Sequence, residues 1–233
     1  MIPASPAQDV PLSRHAAAID LSIAIAFFLA CSAVEPVLDP RLRQGRGLAG
    51  VLTLAAYQFA CEGLAPVLIL IARRERLSRY GFTRRNVGKS VALGLALAAI
   101  NDLVESWRAG AVMWVPLRRH STRRMLLGAS RPAGVAGLMV TVGVWGLMES
   151  FFGVFFARKL NEVLGRNGRG WLSAGVLGFA FFNGAIHFAI GQGVWGFLMS
   201  FASGYAIAVI PAVTENAWGS GVVQTLTNAV GRL

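Results

Sequence analysis

The sequence predicts an all-α protein, a polytopic transmembrane helical bundle of about seven to eight membrane segments at ~20 residues for each full crossing. Three observations predict it. Of 233 residues, 55% are hydrophobic and only 14% are charged, against about a quarter charged in an ordinary soluble domain. The charges gather in short clusters between long uncharged runs, the pattern of helical membrane proteins. Alternating short strands are absent, which argues against an outer-membrane barrel. One membrane domain accounts for the whole length.

The formal net charge is +11, from 22 Lys and Arg against 11 Asp and Glu. The excess sits at the ends of apolar segments, where anionic headgroups and the positive-inside bias account for it. With no separate basic domain, the lipid bilayer is the expected partner and nucleic acid is not. Cys31 and Cys61 fall inside apolar segments as small buried hydrophobes, and neither a disulfide framework nor a CxxC spacing is present.

Residues 1–15 read as an N-terminal tail and residues 16–74 as N-terminal transmembrane helices. The run Ala16–Leu38 contains Asp20 and Glu35 and is long for a signal-peptide core, so an uncleaved first helix is expected. A second span covers about Leu48–Ala72 and holds Glu62, read as a helix-facing or interfacial carboxylate. It ends in the most cationic loop, Ala72–Lys89, which marks the cytoplasmic side.

The third stretch begins at Val91, runs into NDLVESWR and reaches Pro116 before a second arginine cluster, Arg118–Arg124. A single crossing would put two basic loops on opposite sides, so a re-entrant or double pass is the alternative. Asp102, Glu105 and Arg108 share one helix side and can pair. A fourth span, Ala133–Leu160, carries Glu149 and ends in Arg158 and Lys159. A fifth, Trp171–Ile190, carries His187; a sixth, Val194–Ile210, is expected to stop at Pro211. The last helix, Gly219–Val230, carries Gln224 and Asn228.

An ionisable group such as Glu149 in an apolar span is costly, by about 2.5–3.5 kcal/mol on insertion scales, and usually faces a bundle interior or a wet cavity. Asn183 and His187 are i, i+4, as are Gln224 and Asn228, so each pair shows one helix face. Gathered around one cavity, Glu149 and His187 could activate a water while the amides donate to an oxyanion. Polar side chains that simply bond each other across helices fit the same pattern. Zinc, which wants about three protein ligands, finds only Glu149 and His187 here, so a metal-free bound water stands beside a divalent cation such as zinc. Ser203, in FASG, suits a serine mechanism poorly because no histidine follows His187. No convincing internal repeat supports a transporter.

Three short motifs in order resemble those of the CPBP family, the CAAX proteases and bacteriocin-processing enzymes also called the Abi group. That family shows EExxxR, then FxxxH, then HxxxN or HxxxD on successive helices. Here the first falls on Met148–Gly153, the second on Asn183–His187 and the third on Gln224–Asn228; ERLSRYGFTRRNVGKSVALG (Glu75–Gly94) is similar to the loop and helix start that often precede them. Glu149, His187 and Asn228 match the motifs, whereas Met148, Gly153, Asn183 and Gln224 depart from them. The resemblance implies a CPBP-like membrane domain over residues 75–233 and a bacterial cytoplasmic membrane. It implies an intramembrane endopeptidase acting on a membrane-associated peptide or protein, with Glu149 as general base, His187 orienting water or stabilising the oxyanion, and Gln224 and Asn228 as donors. The alternative is a catalytically inactive relative that binds a peptide or partner.

Overall fold

The computed structural model describes residues 13–42, 46–110, 129–165 and 170–228. The expected tail and the Arg118–Arg124 cluster lie outside them, apart from the tail's last residues. Every regular element among the described residues is helical. Helix α1 spans Arg14–Leu42, α2 Gly47–Gln58, α3 Ala65–Arg73, α4 Val87–Ala109, α5 Arg131–Thr141 and α6 Glu149–Val163. They are followed by α7 at Ala174–His187, α8 at Gly193–Thr214 and α9 at Trp218–Asn228.

Among the described residues, five stretches are long and apolar enough to cross a membrane: Arg14–Val34, Gly47–Arg73, Val87–Arg108, Arg131–Val163 and Ala174–Thr214. The all-helical architecture with several candidate membrane spans is therefore present, with five such stretches against the expected seven or eight segments. Three differences bear on the count. Helix α9 is described over only 11 residues and is not among the five. Asn101–Arg108 does not interrupt its span, because α4 runs unbroken to Ala109. The fifth and sixth expected spans are one apolar stretch that folds back on itself. Gly191 (φ 86°) and Gly193 (φ 66°) adopt left-handed backbone between α7 and α8. The two helices then run antiparallel, with Asn183 Nδ2 donating to the Ser200 carbonyl at 2.7 Å and Phe181 stacked edge-on to Phe197.

Lipid-facing positions are apolar, as in Ile71, Leu103 and Met139. The centre of the bundle is α6, whose residues Ser150–Ala157 are all buried, with α1, α7, α8 and α9 around it. Its aromatic side chains stack on both neighbours: Phe152 lies 5.2 Å from Phe28 of α1, and Phe156 lies 4.9 Å from Phe182 of α7. Helix α9 crosses α4 at Gly94 and Gly219, so close that a Cβ on Gly219 would fall 1.9 Å from the Ser90 carbonyl oxygen.

Pro211 does not end α8, which continues to Thr214. A proline cannot donate to the carbonyl four residues back, which here belongs to Ile207. Ser220 Oγ of α9 donates to that carbonyl at 2.7 Å, so the helix continues with its backbone satisfied.

One end of the bundle is held by charge. Lys159, at the C-terminal part of α6, is fully buried and donates to Asp20 of α1 at 3.0 Å and to Glu75, after α3, at 2.9 Å. Arg73 also donates to Asp20, at 2.9 Å, and Arg79 pairs with Glu162 at 2.7 Å. Tyr80 donates its hydroxyl to Glu75; burial, and then that bond, push its phenol well above the ordinary range, so it stays a neutral donor. Each of these cations meets a carboxylate, although Arg79 Nε and Glu162 Oε2 have no hydrogen-bond partner.

Candidate functional site

The other polar region lies about 15 Å further along α6, ten residues back at 1.5 Å each. Glu149 opens α6, Asn183 and His187 occupy the end of α7, and Gln224 sits on α9. All four line two adjoining cavities, of about 250 Å³ and 90 Å³. The structure thus brings three of the four expected site residues together from three helices. The fourth, Asn228, closes α9 one turn beyond Gln224, and its side chain is outside the described part.

The cavities differ in lining. The larger is polar: Asn101, Glu105 and Arg108 of α4 face Gln192, Trp195 and Ser203. Glu105 receives Arg108 Nη2 at 3.3 Å and Trp195 Nε1 at 3.2 Å, and Arg108 lies 5.3 Å over the Trp195 ring. The expected pairing on that helix side therefore exists for Glu105 and Arg108. Asp102 is buried nearby, and its Oδ1 has no hydrogen-bond partner. The smaller cavity is walled by Phe28, Phe152, Phe179 and Phe182 and reaches Glu62.

His187 Nδ1 lies 2.9 Å from Gln192 Oε1. An amide oxygen only accepts, so this contact favours the tautomer in which Nδ1 carries the proton and donates. Gln224 is 4% exposed, and its Oε1 has no hydrogen-bond partner. An orphaned buried acceptor costs about 1–3 kcal/mol, and this one borders a cavity. It suits an acceptor role toward a water or a substrate N–H, a different role from the donor expected. Asn183 is held in place by its bond to Ser200.

Each acid–base group also adjoins an irregular stretch of helix, π-helical for both glutamates. Glu62 lies within Phe59–Leu64 and Glu149 directly follows Val142–Met148, while His187 directly precedes the kink at Ile190 and Gly191. Such wide turns are uncommon and recur at functional sites. Glu62, read from the sequence as a helix-facing or interfacial carboxylate, is buried against the cavity, and Gln58, which the sequence did not single out, donates its Nε2 to Glu62 Oε1 at 2.8 Å. The available signal was its position within an apolar span, which Glu149 shares. Ser203 lines the same cavity as His187 although it follows it in the chain.

Among the described residues, no group of three His, Cys, Asp or Glu side chains could hold a metal ion, so a zinc ligand set is not assembled from them. The described residues of the site can transfer protons and form hydrogen bonds. No family model, curated protein or solved structure matches the chain.

Proposed function

We propose that this protein is an intramembrane endopeptidase resembling the CPBP family, placed in a bacterial cytoplasmic membrane with its cationic end on the cytoplasmic side. It hydrolyses a peptide bond of a membrane-associated peptide or protein with a water activated by Glu149 and His187. The observation that carries this reading is the shared wall: Glu149, Asn183, His187 and Gln224, from three helices, border both cavities.

In this reading Glu149 takes a proton from the attacking water, and Gln224 Oε1 accepts the water's other hydrogen. His187, oriented by Gln192, donates to the developing oxyanion when doubly protonated.

A second reading, a noncatalytic peptide-binding relative, draws on Gly153. The motif arginine would stand there, but a Cβ at Gly153 would already lie 2.5 Å from the Phe179 ring. That departure is built into the packing of α6 on α7.

Purified protein in detergent, offered a quenched peptide library, separates the two. The peptidase reading expects cleavage by wild type, a loss of about 10²–10⁴-fold in Glu149→Gln, the range for a positioned acid–base group, a large loss in His187→Ala, and little change in Ser203→Ala. Loss in Ser203→Ala would turn the mechanism to a serine nucleophile. No cleavage by wild type, in an assay where an intact-motif relative cleaves, would favour the binding protein.

A further inference from the structure

Amide hydrolysis needs two proton transfers: one from the attacking water, and one to the departing amine, which is a poor leaving group until it is protonated. Glu149 serves the first. We propose that Glu62 serves the second, as the acid that protonates the leaving amine, so that the site takes its two carboxylates from two different helical segments. This rests on the peptidase reading above.

Four observations point to Glu62. It lines the smaller cavity, whose wall also holds Glu149, His187 and Gln224. It is nine-tenths buried, among aromatic rings, where a carboxyl group is kept only at a cost. Its Oε1 is fixed by Gln58 at 2.8 Å, and the π-helical stretch Phe59–Leu64 that carries it re-aims its side chains relative to a regular helix. The same wall presents the buried, unpartnered Oε1 of Gln224, an acceptor with room for a water or substrate N–H. The other carboxylate bordering the cavities, Glu105, is engaged by Arg108 and Trp195.

The proton balance closes. Glu62 enters protonated and Glu149 ionised. The water oxygen bonds to the carbonyl carbon while its proton passes to Glu149. The C–N bond then breaks, its electron pair stays on nitrogen, and nitrogen takes the Glu62 proton. The products are a carboxylic acid and an amine, and a proton returns from Glu149 to Glu62 through cavity water before the next turnover.

The leaving group tests this. A cleaved peptide is compared with a p-nitrophenyl ester of the same acyl half, whose leaving group departs without protonation. Glu62→Gln, an isosteric change, is expected to slow peptide hydrolysis by about 10²-fold or more and ester hydrolysis only a few-fold, whereas Glu149→Gln slows both. If Glu62→Gln does not give a monodisperse protein, Glu62→Asp keeps the proton and is expected to lose peptide activity while sparing the ester. Equal losses on both substrates, or no loss on either, overturn the role of Glu62. Loss in Glu149→Gln with Glu62→Gln fully active removes Glu62 alone. A wild type inactive on both substrates removes the peptidase reading and Glu62 with it.

Discussion

At one end of α6, Lys159 is buried between Asp20 and Glu75; at the other, Glu149 borders open volume. The lysine region joins charges of both signs from α1, the segment after α3 and α6, and leaves little space between them. The glutamate region gathers groups that can exchange protons, keeps a cavity between them, and leaves the Gln224 carbonyl unpaired. Both regions place ionisable groups where hydrocarbon would surround them. The difference lies in what surrounds the charges: in the lysine region each charged group meets one of opposite sign and ties helices together, while the glutamate region keeps a cavity with capacity for a ligand.

The largest test of that contrast is Lys159→Met. It removes the buried cation shared by Asp20 and Glu75, which keep only Arg73 and the Tyr80–Arg79 side, and breaking a buried pair costs about 3–5 kcal/mol. Unfolding in mixed micelles should show that loss, and adding Asp20→Asn with Glu75→Gln should recover most of it. A stable single variant would mean that this end is wetter than its burial suggests.

A smaller effect is expected one turn before Gln224, where Ser220 closes the Ile207 carbonyl left open by Pro211. Ser220→Ala should lower stability by about 1–3 kcal/mol, the cost of an orphaned buried group. Adding Pro211→Ala restores a helical N–H and should rescue it. Failure of the rescue would show that Ser220 acts through packing.

Gln224→Leu should change stability least, by no more than about 1 kcal/mol in either direction, because it removes an acceptor that already lacks a partner. Its peptidase activity should nevertheless fall. A large destabilisation with activity kept would move Gln224 into the structural class represented by Lys159.

Much of the cavity was legible in the chain. Glu149, His187 and Gln224 stand out because each interrupts an apolar run, and polar groups at membrane depth rarely face lipid. Lys159 was harder to interpret: at a helix end next to Arg158 it looks like an ordinary terminal cation. Its partner Asp20 lies 139 residues away, and nothing local announces the pairing. Glu62 reads as helix-facing or interfacial because its neighbours in sequence do not show that it lines one cavity with Glu149. Pro211 suggested a helix end, since the hydroxyl that replaces its missing donor belongs to another helix. The segment count was uncertain at Asn101–Arg108 for a related reason: charges that pair along one face of α4 look like a break when only their polarity is visible.

The π-helical stretches make this chain unevenly sensitive to its own length. In a regular α-helix, deleting one residue turns everything downstream by about 100° and misplaces a whole face. A π turn closes its hydrogen bond over one residue more than an α turn. Removing a residue from Val142–Met148 or Phe59–Leu64 should therefore leave a regular helix with both flanks still facing their neighbours. A single-residue deletion scan would then find positions where the folded protein survives and the site does not, because the side chains beside each wide turn lose the placement it provides. The stretches at Glu62 and Glu149 act as local spacers, through which these groups can be adjusted without rebuilding the bundle.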